Sequence, residues 1–260
     1  MKPPKISVVI PSYNKVRFIG QTLNSIIIQK YSDLEVIIQD GGSTDGTLEI
    51  IRRYAKKYPE MIKWESKKDK GQLDAINIGM DKAKGKILTF INADDVYESG
   101  AFNTIAKAYM EDPDALWFAG RGRVINEKDR EIAKGATWYK NLFLVFNSYF
   151  FLLTLNYLMQ PSVFITRQAW QKFGPFVGTS NFVMEYELWL NLATMSMPVV
   201  IDKNLSYFRL SGDNISSTLF KNTLNEDLKI VKKYTQNPLI LLGHRINNWG
   251  RVLMINFLRR

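Results

Sequence analysis

The sequence predicts an α/β protein whose mostly parallel central sheet carries helices on its faces. Three observations lead there. Short apolar, β-favouring runs alternate with stretches whose apolar residues recur at helical spacing. Connections of this length suit right-handed βαβ units, which build parallel sheets. One of the apolar runs, Lys86 to Ile91, ends in the adjacent carboxylates Asp94 and Asp95. Ligands bind such sheets at the carboxyl ends of the strands, near the point where strand order reverses.

The elements follow in order. Ile6–Ile10 is a β-rich run stopped by Pro11, so a strand and then a turn are expected. Ile19, Leu23, Ile26 and Ile27 place a helix over about Val16–Gln29. Leu34–Gln39 reads as a second strand ending at Asp40, and Gly41–Gly46 as a turn. Asp45 or Thr47 can cap the next helix, whose apolar side is Leu48, Ile51, Ala55 and Tyr58. Ile62–Glu65 is a short third strand, Gly71–Lys84 a helix, and Lys86–Ile91 the fourth strand, preceded by Gly85. Phe102, Ile105, Ala106 and Tyr109 mark a further helix, and Ala115–Ala119 a further strand.

Composition narrows the chemistry. Hydrophobic residues make up 46% of the 260, enough for a full core. With no cysteine there is no disulfide, thiolate metal site or thiol nucleophile. The single histidine, His244, rules out a His-rich zinc site or a Ser-His-Asp triad in the main body. Acid–base work falls to carboxylates, lysine or tyrosine. The formal charge of +10 suits an anionic partner: nucleic acid, membrane or small molecule. The N-terminus shows no apolar core of a signal peptide. A cytoplasmic location is expected.

Two carboxylates at the end of a buried strand suit a hard divalent cation that shares oxygen ligands with substrate phosphates. The alternative is that one of them caps the helix that starts near Ser99. Neither a G-x-x-x-x-G-K-[ST] loop nor a G-x-G-x-x-G fingerprint is present. A nucleotide in this crevice would therefore have its phosphates neutralised by a metal ion.

Six blocks together resemble family 2 glycosyltransferases, inverting enzymes of the GT-A fold. They are Val8–Asn14, Gln39–Thr47 (close to D-G-x-S-T-D-G-T), Asp69–Gly79 (close to D-K-G-Q-x-D-A-I-N-x-G), Asn92–Asp95, Gln160–Phe164 and Met184–Leu190. The resemblance covers roughly residues 5 to 217. It implies a GT-A catalytic domain over 1–217, with a nucleotide-sugar half (1–120), an acceptor half (121–217) and a helical tail (218–260). It implies that Pro11, Ser12 and Tyr13 line the nucleobase pocket and that Asp40 meets base or ribose. Asp69, Gln72 and Asp94 lie near the nucleotide sugar, Asp94 and Asp95 hold Mg²⁺ or Mn²⁺, and Glu185 is the general base. The implied activity is transfer of a sugar, from a UDP-linked donor, to a glycan or lipid-linked acceptor in polysaccharide or glycolipid synthesis. Residue by residue, bland alternatives stand. Asp40 suits an Asx turn, Asp69 and Asp74 suit the start of a helix, and Glu185 and Glu187, two apart, do not share a helical face.

The chain departs from the family pattern at three places. The base is Glu185 where Asp is usual, longer by about 1.5 Å. Ser211 stands where many relatives carry His after F-R-x. Asn92 opens the acidic motif and adds no charge. Arg209 suits phosphate neutralisation or a solvated surface.

No charged residue occurs between Asn141 and Thr166. Leu142–Met159 is too short and too interrupted for a membrane span, which leaves a buried helix or helix pair, or a flap facing membrane or acceptor. In Pro238–Arg260, Leu242, Ile246, Trp249 and Leu253 recur at helical spacing among basic residues. That suits an amphipathic helix on an anionic bilayer, at the inner face of the membrane, or a helix docked on the domain. Two other function classes compete. A sugar-phosphate nucleotidyltransferase would show a glycine-rich basic loop after the first strand, and Pro11–Arg17 has no glycine. A nucleic-acid-binding protein would fit the charge, but the basic residues are dispersed and no recognised module appears. Nucleic acid is therefore not an expected partner.

Overall fold

The computed structural model describes residues 2–177, 184–211 and 220–258. The expected boundary at 217/218 and the terminal Arg259 and Arg260 lie outside them. Strands β1 (Ile6–Ser12), β2 (Leu34–Asp40), β3 (Ile62–Ser66) and β4 (Ile87–Phe90) alternate with helices α1 (Ile19–Ile27), α2 (Thr47–Lys57) and α3 (Gln72–Lys82). Then come β5 (Val96–Tyr97), α4 (Ala101–Glu111), β6 (Trp117–Ile125) and β7 (Glu131–Ile132). Helices α5 (Lys134–Phe146) and α6 (Tyr149–Thr154) lead to β8 (Val163–Thr166), α7 (Arg167–Phe173), α8 (Met184–Ala193) and β9 (Val199–Arg209). Two further helices, α9 (Phe220–Tyr234) and α10 (Pro238–Leu258), follow.

The strands form one sheet in the order β3-β2-β1-β4-β8-β6-β9-β5, with β7 paired to β6. The first half is parallel as expected: β1 pairs with β2 and β4, and β2 with β3. The second half is mixed. β8 runs antiparallel between β4 and β6, and β6 pairs parallel with β9 across a register shift near Arg121. Strand order reverses at β1, which has β2 on one side and β4 on the other.

Both faces of the sheet are covered, which is why β1 reads as an unbroken apolar run. Its side chains alternate. Val8 and Ile10 join the core under α1 and α4, while Val9 joins the core under α3 and α8. Helix α3 lies close on β1 because Gly79 has no side chain; a Cβ there would sit 2.4 Å from Cγ1 of Val9.

The uncharged stretch forms a helix pair, α5 and α6. Leu144, Leu152 and Leu153 are buried, while Val145, Phe146 and Phe150 are exposed. The tail docks on the domain. Lys233 of α9 pairs with Glu187 of α8 at 2.8 Å, and His244 of α10 is buried against the carbonyl of Leu153 in α6 at 3.0 Å. Its Leu242, Ile246 and Trp249 point outward and are exposed. Among the described residues no helix is long and apolar enough to cross a membrane.

Candidate active site

The crevice at the β1/β4 switch point is built from strand ends. Register places Ser12 beside Asp40, and Asp40 beside Ser66 of β3. Past β1 the chain turns through Asn14, in the left-handed region at φ 50, and presents Lys15. The Lys15 ammonium lies 2.7 Å from a carboxylate oxygen of Asp94, in the loop after β4. This ion pair spans the switch point and is largely buried on the Asp94 side. Lys15 was not singled out in the sequence. Its signal was a cation close behind Pro11–Tyr13, facing an acidic motif that needed one.

Asp94 and Asp95 are adjacent but differ in their partners. Asp95 is wholly buried. Oδ1 accepts from the Arg209 amide at 2.7 Å, Oδ2 accepts from Nδ2 of Asn92 at 3.1 Å, and its carbonyl accepts from the Thr22 hydroxyl at 2.8 Å. Burial and the neighbouring Asp94 charge hold its carboxyl well above the usual range. Asp95 anchors the loop. The structure gives Asp94 alone of the pair to the Lys15 cation.

Arg209 corrects both sequence readings. It is neither solvated nor open to phosphate, but wholly buried. Nε donates to the Asp94 carbonyl at 2.7 Å, the guanidinium meets the Asn126 carbonyl, Gln21 and Asp129, and it lies 5.0 Å over the Phe18 ring. It clamps the acidic loop to α1 and to the turn after β6. Ser211 is buried nearby in sequence.

Asp40 is also buried and heavily committed. It accepts from the amides of Gly42 and Ser43 and from the hydroxyls of Ser43 and Ser66, at 2.5 to 3.0 Å. Here it shapes the Gly41–Ser43 turn; three of the donors fall on Oδ2 and one, the Ser43 hydroxyl, on Oδ1. Asp69 packs against Gly41, where a Cβ would lie 3.0 Å from its carboxylate, and accepts from the Gly71 amide at 2.8 Å. Gln72, at the start of α3, donates to Asn92 at 2.6 Å, and Asn92 in turn donates to Asp95. The Ser12 hydroxyl is buried without a partner, and Tyr13 is exposed. Pro11, Ser12, Tyr13, Asp40, Asp69, Gln72, Asp94 and Asp95 thus converge on the ends of β1, β2 and β4.

Glu185 belongs to a second cluster. Helix α8 is seated by Trp189, whose ring stacks on Trp117 of β6 at 5.9 Å, and by Tyr186, which donates to the Leu152 carbonyl at 2.7 Å. Glu187 is taken by Lys233, whereas the Glu185 carboxylate accepts from its own backbone amide and, among the described residues, forms no ion pair. It is half-buried within electrostatic reach of Lys140 of α5, Asp227 of α9 and Arg251 of α10. Burial, reinforced by Asp227 and opposed by Lys140 and Arg251, pushes its carboxyl up to about 7. Burial, with Arg251, pushes the Lys140 amine down to about 8. Asp227 is wholly buried, pairs with Arg251 at 2.5 Å, and has its second oxygen unpartnered. An aromatic path from Phe90 of β4 through Phe176 to Trp189 joins the two clusters, with ring centroids 5.3 and 6.2 Å apart.

Chemically, the first cluster suits an anion and a hard cation, and the second holds a carboxyl and an amine that both ionise near neutral pH. Asp94 offers hard oxygen donors and already holds an ammonium, so a cation fits its place. Among the described residues no group of three or more His, Cys, Asp or Glu gathers to hold a metal. A Mg²⁺-type ion held by one or two carboxylates plus substrate phosphates needs no such group.

Comparison with known proteins gives a consistent picture. An uncharacterized glycosyltransferase from Nostoc sp. is 24% identical over 92% of this chain and 77% of its own length. Chondroitin synthase from Escherichia coli is 27% identical over 96% of this chain and 37% of its own. The chain spans 33% of the length of several other curated relatives it matches. The mannosyltransferase PcManGT from Pyrobaculum calidifontis, solved with GDP-Man and Mn²⁺, superposes with a TM-score of 0.71 at 18% identity, covering 94% of this chain and 69% of that one. S. aureus TarS 1–349, solved with UDP-GlcNAc, gives 0.62 at 19% identity, covering 87% and 66%. These likenesses establish the GT-A fold. The model of Glycosyl transferase family 2 matches residues 7–174, and the chain belongs to that family.

Proposed function

We propose that the protein transfers a sugar from a nucleotide-sugar donor, UDP-linked, to an acceptor hydroxyl with inversion, in the synthesis of a polysaccharide or glycolipid. The observation that carries this is the Lys15–Asp94 pair at the switch point, among residues that match the family's donor-side blocks. A relative named chondroitin synthase and a neighbour solved with UDP-GlcNAc support the substrate class.

In this reading Tyr13 and the Pro11–Ser12 backbone receive the nucleobase. Asp40 fixes the turn beside it, and Asp69 and Gln72 border the donor. Asp94 and Asp95 would hold Mg²⁺ or Mn²⁺, and Asp95, through its bonds to Arg209 and Asn92, also fixes the loop that presents Asp94. A neighbour solved with Mn²⁺ supports a divalent ion. When bound, such a cation supplies Lewis-acid stabilisation to the leaving diphosphate. Lys15 adds positive charge at the same place, donating to the oxygens on which negative charge grows as the anomeric bond breaks.

Glu185 takes the acceptor proton. A hydroxyl is a weak nucleophile at neutral pH, and a base whose pKa is near 7 is matched to the task. One displacement with a base on the acceptor side inverts the anomeric centre, by the logic of inverting hydrolysis with an alcohol in place of water. The acceptor is a glycan or a lipid-linked molecule, and the reading includes peripheral contact with a membrane.

The test is a panel of UDP-, GDP- and dTDP-sugars with and without Mn²⁺, following nucleoside diphosphate release and ligand-induced stabilisation. Turnover of one donor that needs the metal supports the proposal. Absence of metal-dependent binding for every donor overturns it.

A further inference from the structure

We propose that α5, α6 and α10 form one face that docks on an anionic lipid bilayer. The inference concerns a surface and stands without the catalytic reading. Most of the large apolar side chains exposed among the described residues sit on these three helices, including Trp138, Val145, Phe150, Leu242, Ile246 and Trp249. Exposed apolar residues scattered singly are ordinary, but a contiguous field of them marks an interaction site.

The three helices that carry these side chains pack on one another. Phe143 of α5 meets Phe151 of α6 edge-on at 4.9 Å. Tyr139 of α5 reaches Asn247 of α10 at 3.4 Å. Gly243 of α10 comes so close to α6 that a Cβ would lie 2.8 Å from Cγ2 of Thr154. Within α10 the division of faces is clean. Leu239, Leu242, Ile246 and Trp249 point out, while Ile240, His244 and Asn248 are buried. The apolar stripe of this helix is therefore its outer stripe.

Charge selects the occupant. No acidic residue occurs between Glu131 and Glu185, and none follows Asp227, so all three helices are free of acids. They carry Lys134 and Arg245, both exposed. Apolar residues with exposed tryptophans and a purely basic complement match the interface of a bilayer with anionic headgroups. A second copy of the same face would bring like charges together. Lys140 and Arg251 lie on the inner sides of α5 and α10, within reach of Glu185. Docking would thus hold that carboxylate about one helix diameter, roughly 10 Å, from the lipid.

The experiment is flotation of the full chain with vesicles of phosphatidylcholine alone and with added phosphatidylglycerol. The wild type should float with the anionic vesicles. The triple variant Trp138→Ser, Ile246→Ser, Trp249→Ser should keep its melting temperature, since all three side chains are exposed, and bind roughly tenfold or more weakly. Lys134→Glu with Arg245→Glu should lose the preference for anionic lipid. Three results would overturn the proposal: no vesicle binding, equal binding by wild type and triple variant, or a dimer in solution that the triple variant dissolves while vesicles remain unbound. Donor turnover, assayed apart from flotation, reports on the catalytic reading alone.

Discussion

The base offers the sharpest chemical test. In the proposed mechanism Glu185 works only when deprotonated, and burial with Asp227 nearby raises its carboxyl to about 7. The sign follows: activity is full above that value and lost as pH falls through it. At pH 6 about a tenth of the enzyme would carry the base form, so kcat/KM should fall about tenfold from its plateau. Asp227→Asn removes the negative charge that helps raise Glu185. It also leaves the positive charge of Arg251, to which Asp227 is paired at 2.5 Å, acting in the same downward direction. The acidic limb should then move down by about half to one pH unit. Activity at pH 6 should rise about three- to fivefold while the plateau holds. Glu185→Gln should cost about 10²–10⁴ in turnover at every pH. The assay is nucleoside diphosphate release at acceptor concentrations well below KM across the neutral range. A profile flat through pH 7, or a limb indifferent to Asp227→Asn, would refute the assignment.

Stability separates the two adjacent aspartates. Asp95→Ala strands the buried Arg209 amide and Asn92 side chain, and should cost about 2–4 kcal/mol by denaturant unfolding. Asp94→Asn keeps the side-chain shape and loses one ion pair, and should cost under about 1.5 kcal/mol by the same measurement. Arg209→Leu removes the clamp between the acidic loop, α1 and the turn after β6, and should cost about 3–5 kcal/mol; a loss of activity with unchanged stability would instead make Arg209 a phosphate ligand.

The parallel half of the fold was legible because its signals are local. Each of β1, β2 and β4 is a short β-favouring run closed by a turn, and α1 and α2 announce themselves by periodicity. The mixed half was not. β9 carries Asp202, Lys203 and Asn204 in its middle, and its pairing with β6 shifts register, so no period-two pattern survives. In the site, the acidic pair was legible, but the way Asp95 is held was not. That depends on Arg209, more than a hundred residues away, donating its amide to Asp95. The surroundings of Glu185 were hidden for the same reason: Lys140, Asp227 and Arg251 all lie on helices distant from it in the chain. For α10 the period was readable but the inward face was not. Its apolar stripe faces out because the polar His244, Asn248 and Arg251 complete a buried charged cluster. Periodicity shows that a helix has two faces; which one is buried depends on what waits beneath it.

The most direct measurement is calorimetric titration of the matched donor into wild type and Asp94→Asn, each with Mn²⁺ and with chelator. The account predicts metal-dependent binding to the wild type. In Asp94→Asn that metal dependence should be lost, with the fold intact by melting temperature. Metal-dependent binding that survives in Asp94→Asn would contradict the placement of the cation and, with it, the donor site built around Lys15 and the β1/β4 crevice.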